Sequence, residues 1–265
     1  MIAPATAFVP APIGHRAGDL EVRLAAPHEI DAALALRYRV FCEERGARVG
    51  RKGLEEDDYD RACDHLIVLD HAAAGRPVVG TYRLLREDVA TPLGGFYSAG
   101  EYDLAPLLAR GRGGGAGPQL LELGRSCVAI PYRTNATITL LWRAIASYLE
   151  AHRIGFMFGC ASFPGTDPAA HADELAYLYR FHLASPELRV RALAHHHVAM
   201  DRPGDVSDFS GRGLPPLIKA YLRVGAKVGD GAFVDRDFNT VDVFMIVPVE
   251  RIVGRYGRRF GLVAA

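Results

Sequence analysis

One segment, Gln119–Ile130 (QLLELGRSCVAI), restricts the fold more than any other: it is apolar enough to cross a core, yet it carries Glu122 and Arg125. A charged pair buried mid-strand is costly unless the charges are paired or used. In an unbroken strand, residues three apart point to opposite faces. Gly124 between them is the residue most able to host a β-bulge, which would bring both side chains to one face. Two further arginines repeat the pattern. Arg83 interrupts the strand-like run Pro77–Arg86, where alternation sets Val79, Thr81, Arg83 and Leu85 on one face. Arg37 lies on or beside the apolar stripe of a helical stretch, Glu29–Arg45, formed by Ile30, Ala33, Leu34, Tyr38 and Phe41. The acidic segment Leu54–Asp60 (LEEDDYD) follows that helix. Each charge alone reads as solvated or bridged; together, arginines in core-like elements beside an acidic run predict a polar cleft.

The remaining pattern interleaves strands at Glu21–Ala25, His65–Leu69, Gly155–Cys160 and Val241–Val247 with helices at Thr134–His152, Ala169–Leu183 and Leu217–Arg223. That order predicts an α/β (α+β) fold with a mostly continuous sheet. Residues 1–18, rich in Ala and Pro, read as a mobile arm, residues 19–250 as a single domain and residues 251–265 as a basic tail. The run RGRGGGAGP (Arg110–Pro118) fits neither the Walker pattern nor a strand-preceded GxGxxG, and is expected to be a flexible loop.

Composition excludes some functions. With 31 Lys+Arg against 31 Asp+Glu the formal net charge is zero, which argues against a duplex nucleic-acid binder. Cys42, Cys63, Cys127 and Cys160 form no CxxC pair and no metal-ligand spacing, so reduced thiols in a cytosolic setting are expected. The consecutive His195–His197 cannot share one strand face, and no metal is expected. The N-terminal residues lack the cationic start and apolar run of a signal peptide, and no apolar run approaches the roughly 18–20 residues of a membrane span.

In order along the chain, LRYRVF (Leu36–Phe41), EDDYD (Glu56–Asp60), GTYRLL (Gly80–Leu85) and ELGRSCV (Glu122–Val128) resemble the acyl-homoserine lactone synthase pattern within the GNAT acyltransferase superfamily. The matching residues are Arg37, Phe41, Asp57, Asp60, Arg83, Glu122 and Arg125. The second half, GCASFPGTDP (Gly159–Pro168), LPPLIKAYLRVGAKVGDGA (Leu214–Ala232) and DRDFNTVDVFMIV (Asp235–Val247), resembles the ornithine lipid N-acyltransferases. The resemblance implies a GNAT-like fold, a mixed central sheet flanked by helices with a C-terminal extension. It also implies transfer of a 3-hydroxyacyl chain from acyl carrier protein to the α-amino group of L-ornithine. Where that superfamily carries a glycine-bearing pyrophosphate loop, this chain has IPYRTNAT (Ile130–Thr137), without glycine. Two phosphates of coenzyme A need close backbone approach, which glycine permits. A single phosphodiester needs less, and Arg133, Thr134 and Asn135 at a helix start suit it. The donor is therefore expected on the phosphopantetheine of acyl carrier protein, with no bound cofactor.

Within that resemblance, Glu122 is the expected base with its charge held by Arg125. Asp57 and Asp60 would bind the ornithine ammonium groups, and Arg83 or Arg37 its carboxylate. Backbone groups near Val128 and Cys160–Ser162 would polarise the thioester carbonyl. Trp142, Phe156, Phe158 and Phe163 are candidates for an acyl tunnel, with core packing as the competing role. Arginines near Arg133 and Arg153 are the expected dock for the acidic carrier protein. The tail Arg251–Arg259 is a candidate for peripheral contact with anionic lipid. Acylation of glycine, glutamine or lysine, lactone formation on S-adenosylmethionine, and a non-catalytic carrier-binding module stay open at this point.

Overall fold

The computed structural model describes residues 13–111, 117–201, 211 and 213–252. Strands β1 (Gly14–Ala17) and β2 (Leu20–Leu24) form a hairpin ahead of helix α1 (Ile30–Arg37), which widens into a π-helical turn over Tyr38–Glu44. Strands β3 (Asp64–Asp70) and β4 (Val78–Arg86) pair antiparallel. An excursion then holds α2 (Glu87–Ala90), a 3₁₀ turn at Tyr97–Gly100, β5 (Tyr102–Asp103) and α3 (Ala105–Leu108). Strand β6 (Gln119–Val128), helix α4 (Asn135–Ala151) and strand β7 (Ile154–Pro164) make a parallel crossover. The chain closes with α5 (Ala172–His182), β8 (Arg191–Ala192), β9 (His197–Val198), α6 (Pro216–Arg223), β10 (Lys227–Val228), β11 (Ala232–Asp235) and β12 (Thr240–Pro248).

The main sheet runs β1-β2-β3-β4-β6-β7-β12-β11-β9 and is antiparallel except between β6 and β7. This is the mixed, helix-flanked sheet that the motifs imply. Helix α4 begins where Thr134 accepts the Thr137 N–H, and its apolar stripe sets Leu141, Ile145 and Leu149 against Val68, Leu84, Leu121 and Met157. Ile138, at the start of that stripe, stays exposed. On the opposite face α1 and the π-helical turn after it pack Ala33, Leu36 and Val40 over Ile67, Val78 and Cys127. The excursion packs Phe96, Tyr102 and Leu107 over Leu85, Leu120 and Phe158. Between these two apolar patches the same face carries Arg83 on β4 and Glu122 and Arg125 on β6. The charges therefore fill a strip that neither patch covers.

Three sequence expectations change here. Gly14–Ala17 belong to the sheet rather than to a mobile arm: they pair with β2, and His15 Nε2 lies 2.9 Å from Ser147 Oγ. Residues 1–12 lie outside the described residues. Val79 leaves the face of Thr81 and Arg83 because the β3–β4 register shifts between Val68 and Leu69, and it joins the core under α4 instead. The basic tail starts inside the domain, since Ile252 is buried in the core. The rest of the tail, and Arg112–Ala116 of the glycine-rich loop, fall outside the described residues.

Candidate active site

The expected bulge exists, displaced by one residue. Arg83 pairs with Gly124 and Thr81 with Cys127, so β6 carries one more residue than β4 across this stretch. The left-handed backbone falls on Arg125 (φ 52°), not on Gly124. A non-glycine residue there is strained by about 1–2 kcal/mol, and the contacts of its side chain oppose that cost. The Arg125 guanidinium donates from Nε to Glu55 (3.1 Å) and from Nη2 to Asp57 (3.0 Å). It also lies 4.4 Å from the Tyr97 ring centroid and 4.3 Å from that of Phe238, a cation between two aromatic faces.

Arg125 belongs to a closed ring of charge. Arg37 donates to Glu55 through Nε and in bidentate fashion to Asp60 (2.6 and 3.0 Å). Arg83 Nη1 reaches Asp57 (2.6 Å) and Asp60 (3.1 Å). Each carboxylate thus bridges two arginines, and each arginine two carboxylates. Burial pushes the Asp60 carboxyl up, but the Arg37 fork and the Arg83 charge outweigh it and hold the group well below the usual carboxylate range. The structure thus places Asp57, Asp60, Arg37 and Arg83, expected from sequence as substrate contacts, in mutual ion pairs. Their charges compensate one another, Arg37 is wholly buried, and none of the four lines the cavity described next.

The β6–β7 ladder runs through Glu122↔Phe158 and stops there. Gly159 marks the divergence: a Cβ on it would sit 2.2 Å from the Leu123 carbonyl oxygen, so only glycine allows the approach. Beyond that point a cavity of about 390 Å³ opens between the strands. Leu141, Trp142 and Tyr221 line it from the α4–α6 side; Glu122, Arg125, Cys160, Ser162 and Asp242 line it from the other. The opening therefore passes through the sheet. Phe41 and Val128 lie on its wall, and Arg45 and Arg133 contribute cations.

Glu122 sits on this wall with both carboxylate oxygens held by the 3₁₀ turn, Oε2 accepting from Tyr97 N (2.8 Å) and Oε1 from Ser98 N (2.9 Å). Burial raises its pKa despite these donors and the Arg83 charge. Arg125 does not pair with it; backbone amides do the holding, because the bulge turns Arg125 toward Glu55 and Asp57. The Cys160 thiol is pushed well up by burial and by the neighbouring Glu101 and Asp242, which disfavours the thiolate.

Other expected residues lie elsewhere. Phe163 points into the core under α4 with its ring 4.8 Å from His171, and Phe158 packs on Phe96 and Phe244. Neither ring lines the cavity: Phe158 precedes the opening, and Phe163 lies further along β7 than Ala161 and Ser162, which do line it. Thr134 caps α4 and Asn135 begins it, and neither lines the cavity. Arg133 and Arg153 stand at opposite ends of α4, roughly 25 Å apart at 1.5 Å per residue, so they do not form one patch. The cavity also holds acids absent from the sequence expectation: Glu101, Asp235 and Asp242. Asp242 had a signal, a carboxylate inside the apolar strand TVDVFMIV. Glu101, in a turn, had none.

Residues 36–143 match the family model for an acetyltransferase (GNAT) domain. The chain is 46% identical over 258 residues to the L-ornithine N(alpha)-acyltransferase of Agrobacterium fabrum, spanning 93% of this chain and 86% of that protein. It is 48% identical over 261 residues to the protein of the same name from Brucella abortus, spanning 93% and 90%. Among solved structures it resembles the acyl-homoserine lactone synthase LasI (TM-score 0.51, 15% identity, 93% of this chain and 97% of that one). It equally resembles FeeM, an N-acyl amino acid synthase from uncultured soil microbes (TM-score 0.51, 12% identity, 89% and 94%). At those identities the structural likeness speaks for the fold.

Proposed function

Because this chain belongs to the L-ornithine N(alpha)-acyltransferase family and is an N-acyltransferase on the GNAT fold, we propose that it transfers a 3-hydroxyacyl chain from acyl carrier protein to the α-amino group of L-ornithine. The observation that carries this reading is the cavity through the sheet, with Glu122 on its wall where the β6–β7 ladder stops. A thioester arm entering from the α4–α6 side and an amine entering from the other would meet beside that carboxylate. Glu122 takes a proton from the substrate ammonium, directly or through a water, and the freed amine attacks the thioester carbonyl. The C–N bond forms, the C–S bond breaks as the attached nitrogen gives up its second proton to the leaving sulfur, and the proton held by Glu122 passes to solvent. Backbone groups of β6 beyond Glu122 and of β7 beyond Phe158, free of their mutual ladder, supply donors to the developing oxyanion. Leu141, Trp142 and Tyr221 offer the acyl chain an apolar wall.

The missing glycines in Ile130–Thr137 favour a carrier-protein donor over coenzyme A. The test is mass spectrometry of products from purified protein, 3-hydroxyacyl carrier protein and a panel of amino acids. Lyso-ornithine lipid is the expected product. Turnover of another amine without ornithine, or of acyl-coenzyme A in preference to the carrier protein, overturns the reading.

The carrier dock follows the cations at the cavity rather than the pair expected from sequence. Arg45 and Arg133 line the opening, and Arg133 retains an exposed edge beside Glu44. Arg45→Glu with Arg133→Glu is expected to raise KM for acyl carrier protein by about 10-fold or more, mostly through slower, salt-dependent association, with kcat little changed. Equal loss with a short acyl-pantetheine thioester, which has no acidic surface, would remove these arginines from the dock. Peripheral membrane contact would rest on tail residues beyond Ile252, outside the described part of the chain.

A further inference from the structure

We propose that Glu101, Asp235 and Asp242 form a subsite for the side-chain ammonium of the acceptor and so select a diamino acid, an assignment that rests on the acceptor reading above. All three line the cavity, and one carboxylate oxygen from each lies within 4.8 Å of the others. Glu101 is 7% and Asp242 4% exposed, yet Glu101 Oε2 and Asp242 Oδ1 have no hydrogen-bond partner among the described residues. Their contrast with the arginine ring is direct. There every carboxylate meets two guanidiniums; here none of the three has an ion pair among the described residues, and Arg125 is committed to Glu55 and Asp57.

Two buried carboxyls side by side with no ion-paired counterion cannot both ionise cheaply; the Arg125 charge and the Ser162, Thr240 and Cys160 side chains offset that cost only in part. Burial raises Glu101, and the Asp242 charge raises it further; burial raises Asp242 as well. A cation arriving through the cavity lets both ionise. Its shape is constrained too. A primary ammonium has three N–H donors, and three acceptors about 2.8 Å from a tetrahedral nitrogen lie roughly 4.6 Å apart, which fits the spacing here. Asp235 is pre-set for the role: its Oδ1 accepts from the Asp237 and Phe238 amides, which fixes the carboxylate. A sulfonium carries charge but no N–H, so it would leave these oxygens without donors. The trio therefore favours a second amino group over the sulfonium of S-adenosylmethionine, and over the neutral side chains of glycine or glutamine.

The test is competition between ornithine and norvaline, which has the same carbon skeleton without the distal amine. Glu101→Gln and Asp242→Asn are each expected to lower the ornithine-to-norvaline product ratio by roughly 10–100-fold, the worth of charged hydrogen bonds in a closed site. Both variants should also melt at higher temperature than the wild type without substrate, because each removes an uncompensated buried carboxyl. An unchanged product ratio, or a ratio that falls only alongside a fall in Tm, overturns the proposal. If the wild type acylates neither amino acid, the acceptor reading fails, and calorimetry with 1,4-diaminobutane against butylamine still tests the subsite. A diamine preference lost in Asp242→Asn supports it; no preference, or calcium or manganese bound at the trio in competition with the diamine, overturns it.

Discussion

Glu122→Gln is expected to lower kcat for amide formation by about 10²–10⁴-fold, the usual worth of a positioned general base, and to erase the acidic limb of the pH profile of kcat/KM. The sign follows from burial, which raises the Glu122 pKa above the ordinary carboxylate range. The ionised form accepts the proton, so wild-type turnover falls as pH drops through that raised pKa, and the variant has nothing at this position left to titrate. Glutamine is not a silent replacement. Both Glu122 oxygens accept backbone N–H groups, and an amide offers only one oxygen, leaving its NH₂ against the amide of Tyr97 or Ser98. Some loosening of the 3₁₀ turn should therefore lower Tm as well. Glu122→Asp separates the two effects, because it keeps the carboxylate while withdrawing it from the cavity: it should retain an acidic limb at reduced kcat. Wild-type kcat in Glu122→Gln would remove Glu122 from the chemistry and leave it only a holder of the turn.

Much of this site was legible in sequence because charge inside an apolar run is a local signal. Arg83 in GTYRLL, Arg37 in LRYRVF and the pair in ELGR each announce a core element with a polar duty. What the pattern does not carry is pairing. Whether Asp57 faces a substrate or Arg83 depends on how the segment before β3 closes against β4 and β6, a contact between residues far apart in the chain. The bulge shows the same division. The need to turn Glu122 and Arg125 to one face follows from their spacing, but which residue takes the left-handed backbone depends on partners. Two carboxylates and two aromatic faces hold Arg125 there, so Gly124 stays regular. Asp242 shows the reverse case. It has the same local signature as Arg83, but its neighbour Glu101 comes from a turn with no periodicity, and only the fold brings them together.

Arg37→Met is expected to destabilise the fold by about 3–5 kcal/mol, the cost of breaking a buried ion pair from one side. For a domain of this size that lowers Tm by roughly 6–20 °C. An exposed salt bridge would justify no such figure, but Arg37 is wholly buried and Glu55 nearly so. Removing the guanidinium leaves Glu55 with Arg125 alone and Asp60 with Arg83 alone, each carboxylate having lost its partner on one side. The pH dependence tests the mechanism. Asp60 has a folded-state pKa below its unfolded value of about 3.9, so its contribution is present above that value and fades as pH falls toward the folded pKa. The Tm gap between wild type and Arg37→Met should be full at neutral pH and narrow below about pH 4. Because Arg37 and Asp60 act as one pair, Asp60→Asn in the Arg37→Met background should cost less than in the wild type, a coupling that calorimetry of the two single variants and the double variant reads directly. Additive losses, or a Tm gap constant from neutral to acid, would mean that Arg37 contributes packing of its stem rather than closure of the charged ring.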